Sequence, residues 1–454
     1  MDESRRKNSS DRMVITMEIK KEFAKYASLN ILGIVGMSCY ILADTYFISK
    51  AQGTLGIAAL NLVLPVYDVI YGIGDMIGIG SVIRYSILKT KNKTEADSYL
   101  FNALVFATIC GLMFSVIGLF ATEPFLQFLG ADDAVMAAGK EYTRIFMLFG
   151  PIFMWNLAAN AYCRNDGAPI VAMMSTLISS LFNIVFDYVL MFPFGMGMKG
   201  AALATALSPV LGILICMIHF LSKKNHVKLK ICRPSFKRLL SSCQVGIPAF
   251  VAHVSAGVVT MTFNYIILSI SGNTAVAAYG IIANIALVAV AVFNGIANGS
   301  QPLISRDYGL GKDENVHILK RLSFIMALVL AVVLYVVIFI GTDTFIAVFN
   351  SESNQELYRY AHLGIRLYFI GILFSGVNIV GASFFSATNE AKNASIISLL
   401  RGFILIVLFA LILSKLLGII GIWLSYAVGE AVTTGVMILL FMLSKRKALI
   451  GDKV

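Results

Sequence analysis

Four residues of this sequence could handle an ion together. In Leu181-Phe-Asn-Ile-Val-Phe-Asp-Tyr188, Asn183 and Asp187 stand four apart inside an apolar run, so a helix there puts both on one face. Ser179 and Ser180 lie a turn earlier. A second run, Gly200-Ala-Ala-Leu-Ala-Thr205, offers the Thr205 hydroxyl and small residues that let helices approach closely. A third apolar run brings Asp44. Two carboxylates, an amide oxygen, a hydroxyl and a backbone carbonyl make a set of hard oxygen ligands, suited to a proton or an alkali cation such as Na⁺ and not to a soft metal.

Such acids are costly in lipid, about 2.5–3.5 kcal/mol each at the bilayer centre. Two of them in one low-dielectric pocket cannot both stay ionised without a compensating cation. Ion binding would relieve their repulsion and let helices repack. The plainer reading, that Asn183 and Asp187 only hydrogen-bond each other and lock two helices, stands beside it.

Other polar residues sit in apolar runs. Asp68 and Asp75 are seven apart with Tyr71 between them. A wall of acids and tyrosine suits a cationic amphipathic substrate through charge and cation–π contact; pairing of the acids with Arg84 or with neighbouring helices is the alternative. Glu430 is the one acid inside an apolar run of the second half, and reads as a cavity acid or a second protonation point. Asn284, Asn294, Asn298 and Asn378 read as interhelical glue. His253 reads as packing, as do most of the 31 Phe and 19 Met, which also suit an adaptable drug pocket.

The elements that must position these residues are set by composition. Of 454 residues, 58% are hydrophobic and 13% charged. A soluble domain carries about 25% charged residues, so water-soluble, disordered, coiled-coil and disulfide-scaffold classes are excluded. The six cysteines form no CxxC pair and read as reduced small hydrophobes. The polar start, Asp2 to Lys7, lacks the pattern of a cleaved signal peptide.

Twelve stretches are long and apolar enough to cross a bilayer: 25–49, 55–88, 99–120, 137–161, 169–192, 199–222, 239–271, 275–304, 317–342, 357–385, 393–415 and 419–443. Most of the 36 Lys and Arg fall on the side of the two termini: up to Lys25, Arg84 to Lys93, Arg164, Lys223 to Arg238, Arg306 to Arg321, Lys392, and from Lys445 on. That bias makes both termini cytoplasmic. The outer loops carry Glu123, Asp132, Asp133, Asp343, Glu352 and Glu356.

The basic stretch in mid-chain divides two halves. The expected organisation is a cytoplasmic segment 1–24, an N-lobe 25–222, a basic cytoplasmic linker 223–238, a C-lobe 239–443 and a cytoplasmic tail 444–454. The halves echo one another: Gly197-Met-Lys-Gly200 against Gly418-Ile-Ile-Gly421, and the turn Arg164-Asn-Asp-Gly-Ala-Pro169 against Ala387-Thr-Asn-Glu-Ala-Lys392. By that register Asn264 matches Asp44, Ile406 and Ala410 match Asn183 and Asp187, and Tyr426 matches Thr205. Ion coupling is therefore expected in the first half alone.

Arg164-Asn-Asp-Gly-Ala-Pro, Asn183-x3-Asp187, Gly197-x-x-Gly-Ala-Ala-x-Ala-Thr205 and Gln301-Pro-Leu-Ile-Ser-Arg-Asp-Tyr-Gly-Leu-Gly-Lys312 resemble the multidrug and toxic compound extrusion (MATE) family, in its bacterial MepA-like or DinF-like branch. The resemblance spans nearly the whole chain. It implies an all-α membrane fold of 12 helices in two six-helix lobes related by pseudo-two-fold symmetry. It also implies an antiporter in a bacterial plasma membrane that exports cationic or amphipathic molecules in exchange for H⁺ or Na⁺ by alternating access. The implied ion site is Asp44, Asn183, Asp187 and Thr205, with the Ala201 carbonyl as an extra ligand; the substrate cavity would take Asp68, Tyr71, Asp75, Asn264 and Glu430.

No further cofactor, no nucleic acid and no enzymatic step are expected; the partners are the small molecule and the bilayer, and the state is monomeric. Two features depart from the family. No proline occurs around Ser28 to Asn30, although Gly246-Ile-Pro248 is kept in the second half. Asn264 and Asn378 stand where another branch places acids. A lipid-linked oligosaccharide flippase of a related superfamily is the alternative, and it should show a more cationic cavity than one bearing Asp44, Asp68, Asp75 and Asp187.

Overall fold

In lipid, a continuous apolar chain can satisfy its backbone only within helices or closed barrels. The computed structural model describes residues 2–131, 133–349 and 354–451, with the side chains of 2–15, 49, 54, 57, 58 and 445–451 left out. The expected outer acids Asp132 and Glu352, and the basic side chains before residue 16 and after 444, lie outside the described residues. What is described is helical, without a strand.

The helices are α1 (Asp2–Leu88), α2 (Lys93–Phe120), α3 (Thr122–Phe128), α4 (Asp133–Leu148), α5 (Gly150–Asn165), α6 (Pro169–Met191), α7 (Gly197–Phe220) and α8 (Phe236–Gly309). After them come α9 (Asp313–Ile340), α10 (Thr342–Phe349), α11 (Gln355–Tyr368), α12 (Ile372–Ala387), α13 (Ala391–Leu399), α14 (Leu405–Leu417) and α15 (Ile419–Gly451). A π-helical turn, Leu400–Ile404, joins α13 to α14.

Two of these helices double back. Tyr40 and Tyr67 share a hydrogen bond of 2.8 Å, whereas a straight helix would hold residues so spaced about 40 Å apart. The reversal is at Gly53, with φ 60° and ψ −145°, a conformation open to glycine. In α8, Phe263 and Tyr279 bring their ring centres within 5.1 Å, across a reversal at Gly272. Each helix thus has two arms.

Ten helical stretches qualify as spans by length and apolarity, eleven when the bent pair α4–α5, with its 50° break, is taken as one. In that reckoning α8 counts once, yet at 74 residues it is about 110 Å long against a hydrocarbon core of about 30 Å. Its two arms make the crossings twelve.

Two apolar cores follow from this path. One lies in the first half, around Ile48, Phe146, Phe153 and Ala201. The other lies in the second half, around Phe263, Phe293, Tyr368 and Trp423. The lobes touch along two seams made close by glycine, one where Gly295 and Gly299 of α8 meet Ile31 and Ala27 of α1, the other between the second arm of α1 and the first arm of α8. A Cβ on Gly80 would fall 2.0 Å from the Ser242 carbonyl oxygen, and one on Gly246 the same distance from that of Met76.

Polar contacts seal the end that carries the termini. Arg306 pairs bidentately with Glu22 at 2.7 and 3.0 Å. Arg84 donates to the Ser241 carbonyl at 3.1 Å and to Asn389, and Thr90 donates to the Gly309 carbonyl at 3.0 Å. Among the described hydrogen bonds and ion pairs that join the lobes, the one farthest from that end is Asp75–His253.

Candidate functional site

Asp44 comes from the first arm of α1, Asn183 and Asp187 from α6, and Thr205 from α7. The small residues of α7 set the approach: Ala201, Ala202, Ala204 and Ala206 are fully buried, and a Cβ on Gly200 would meet the backbone of Leu190 at 2.9 Å. Between α1 and α6, Gly36 makes the room, since a Cβ there would collide with Leu177. The four side chains end up in one buried pocket, with Asp187 and Asn183 fully covered and Asp44 at 8% exposure.

Asn183 lies between its neighbours. Its amide nitrogen donates to Asp187 Oδ2 at 3.0 Å, and its oxygen accepts from the Thr205 backbone N–H at 3.2 Å and hydroxyl at 3.3 Å. Nothing described donates to Oδ1 of either Asp44 or Asp187. Instead the two carboxyls face each other within interaction range, an arrangement that two bare carboxylates would oppose. Neither acid forms an ion pair among the described residues. An unpaired carboxylate pair away from water is a high-energy arrangement that a mobile cation relieves.

Sequence reading missed the tyrosines around this pocket. Tyr142 of α4, buried, approaches Thr205 and the two acids. Tyr40 stands one turn before Asp44 and bonds Tyr67, which stacks on Tyr71 at 4.1 Å between ring centres. The row of rings runs from the acid pair to the arm of α1 that bears Asp68 and Asp75. Its one sequence signal is the four-residue step from Tyr67 to Tyr71.

Asp75 corrects an expectation. Its Oδ2 lies 3.0 Å from Nε2 of His253, so His253 is an ion-pair partner and not mere packing, while Arg84 is engaged with Ser241 and Asn389. Asp68, half-buried, faces Gly257 of α8 across the seam. Asn264 is half-buried on the first arm of α8. Glu430 is placed differently from a cavity wall: it is fully buried, accepts from Arg401 at 2.9 Å and from the Asn378 amide at 2.6 Å, and so is a fixed ion pair inside the C-lobe. Arg401, on the π-helical turn, carried no role in the sequence reading because its partner is remote along the chain. It also lines an interlobe cavity of about 80 Å³ with Asn294, Asn298, Gln301 and Ser386.

The second-half counterparts of the ion ligands hold no acid. Ile406, Ala410 and Tyr426 are all buried in the C-lobe core, with the Tyr426 ring stacked 4.4 Å from that of Tyr368, while Asn264, the counterpart of Asp44, is polar but carries no charge.

Comparison with known proteins gives the following. The family model described as MatE matches residues 30–189 and 248–412, one stretch in each lobe. The chain is 27% identical over 412 residues to "Multidrug export protein MepA" of Staphylococcus saprophyticus, covering 90% of each chain. It is 26% identical, with the same coverage, to the protein of that name in Staphylococcus aureus. A solved structure described as the outward-facing conformation of a multidrug resistance MATE family transporter superposes with a TM-score of 0.87 at 21% identity, over 96% of this chain and 97% of that one. A transporter of the MOP superfamily from Pyrococcus furiosus, described as having a binding pocket of reverse polarity, superposes with a TM-score of 0.86 at 22% identity, over 94% and 96%.

Proposed function

The chain belongs to the MatE family of multidrug efflux transporters, and from that premise we propose that it exports organic cations and amphipathic small molecules in exchange for H⁺ or Na⁺. In this reading it works as a monomer in a bacterial plasma membrane with both termini cytoplasmic, and is a transporter and no enzyme. The observation that carries it is the burial of Asp44 and Asp187 in one place, facing each other with no ion-pair partner among the described residues.

With a proton between the carboxyls, the first arm of α1 and α6 hold together. Loss of that proton leaves two negative charges in a low-dielectric pocket, and the arm and α6 separate or admit a cation. Tyr40 moves with Asp44, one turn away, and through Tyr67 and Tyr71 the change reaches the face carrying Asp68 and Asp75. The first arm, Thr16–Gly53, holds no proline, so a bend there would have to form at Gly33 or Gly36.

Binding energy on the two sides of the exchange acts on one two-state seam. One charge moving down 100 mV supplies about 2.3 kcal/mol, enough for roughly a fiftyfold gradient of a neutral solute. A proton shared between the two carboxyls would relieve their repulsion with no further ligand, so H⁺ is the ion first expected.

The test is transport of a fluorescent organic cation in proteoliposomes with pH and sodium gradients imposed separately. A pH gradient alone should drive it. Drive by sodium alone assigns Na⁺ to the same site, and no drive by either overturns the reading.

A further inference from the structure

The second arm of α1 and the first arm of α8 press together between the lobes, and midway along that contact three titratable side chains meet. Asp75 Oδ2 and His253 Nε2 are 3.0 Å apart, with the two side chains 20% and 26% exposed. Asp68 lies two turns away on the same face of α1 and points across the same seam. Its Oδ2 is 3.5 Å from where a Cβ on Gly257 would sit, one turn of α8 beyond His253. Tyr71 stands between the two acids, its ring centre 6.1 Å from that of His253.

One imidazole therefore faces two carboxylates, one bonded and one with no hydrogen bond or ion pair among the described residues. Gly257 keeps the space beside Asp68 clear of any side chain. The other charged groups near this point are two arginines. Arg164 of α5 is within electrostatic reach of Asp75. Arg401 belongs to the turn packed behind His253, where Gly402 meets Val251 and Ser255, but its guanidinium is held by Glu430. Neither engages Asp68.

We propose that Asp68, Asp75 and His253 form a second ion site, at the lobe seam, in which an imidazolium proton and an organic cation displace one another. The site rests on the efflux reading above and adds to it a place where substrate and proton meet directly. With His253 protonated, Asp75 is neutralised and Asp68 alone faces the seam. An organic cation seated beside Asp68, over the Tyr71 ring, places a second positive charge next to the imidazolium. The proton then leaves His253 for water, and the cation stands between two carboxylates. Because Asp75–His253 bridges the lobes, the same exchange weakens the bond that joins them there.

The probe is tetraphenylphosphonium, with the full-length protein in nanodiscs. Its affinity by calorimetry should fall by up to about tenfold per pH unit below the imidazole titration, since mutually exclusive ligands are linked reciprocally. His253→Gln should flatten that slope, and Asp68→Asn should weaken binding at every pH. In the wild-type protein, ¹⁵N-histidine spectra should show His253 losing its proton as the probe saturates, a readout that needs no variant to fold. An unchanged His253 signal at saturation, or a wild-type slope in His253→Gln, overturns the inference. Ion-driven transport by the wild type would be intact in that event, so the efflux reading would survive it. Conversely, proton–probe exchange at His253 in a protein with no ion-driven transport would uphold the site and sink the efflux reading.

Discussion

The two lobes share one architecture but treat the acids buried at the heart of each differently, although the N-lobe also fixes a buried acid, Asp166, between Lys89 and His219 near its terminal end. In the N-lobe, Asp44 and Asp187 face each other with no cation fixed beside them. In the C-lobe, Glu430 is held by Arg401 and Asn378, and the positions matching the N-lobe ligands are the uncharged Asn264 and the core residues Ile406, Ala410 and Tyr426. A buried acid with a permanent partner is a structural joint, whose charge need not change. One without such a partner is stable only while a mobile cation attends it. On the proposed reading, the difference teaches that two lobes of one architecture need not share a function, and that only the N-lobe keeps acids able to respond to an ion.

That contrast can be broken by experiment. The largest effect is expected from Asp187→Asn, which removes the second carboxyl: ion-driven transport in proteoliposomes should fall by at least about 100-fold, the order reached when an essential proton-transfer group is lost. The protein should stay folded, because an amide keeps the bond to Asn183. Near-normal ion-driven rates in this variant would dissolve the asymmetry between lobes. Glu430→Gln should act in the opposite sense. Leaving Arg401, half-buried at the cavity wall, without its carboxylate costs up to about 3 kcal/mol, read as a drop in thermal stability, while the number of ions moved per substrate in surviving protein stays the same. A changed stoichiometry would make Glu430 a second coupling acid.

Ala410→Asp restores the missing acid in the C-lobe. In a closely packed apolar setting it should destabilise by about 2.5–3.5 kcal/mol and create no new ion dependence; scanning calorimetry together with transport against pH checks both. The smallest effect is expected from Thr205→Val, which deletes one oxygen beside Asn183. A loss of about 1 kcal/mol should appear as a several-fold shift in the concentration of ion giving half-maximal rate, with the maximal rate kept. A null shift would take Thr205 out of the pocket's working set.

Much of this was readable before any coordinate. The apolar runs demanded helices that cross a bilayer, because lipid leaves an unpaired peptide group nowhere else to bond. The four-residue step put Asn183 and Asp187 on one face, a consequence of helical pitch alone. The small residues from Gly200 to Ala206 marked a close helix contact. Local periodicity and composition suffice for such features, since each depends on residues within a few turns.

Tertiary structure alone decided which distant residues meet. Nothing in the sequence distinguishes His253 from a packed histidine until α1 and α8 are laid side by side and Asp75 arrives at 3.0 Å. Glu430 looked like a lone intramembrane acid until Arg401, on a different helix, was seen to neutralise it. Charge in a low-dielectric interior is judged by its nearest neighbours in space, and chain order does not record those neighbours. The sequence determined how many helices cross and which faces are polar; the packing determined which acids are free to take an ion.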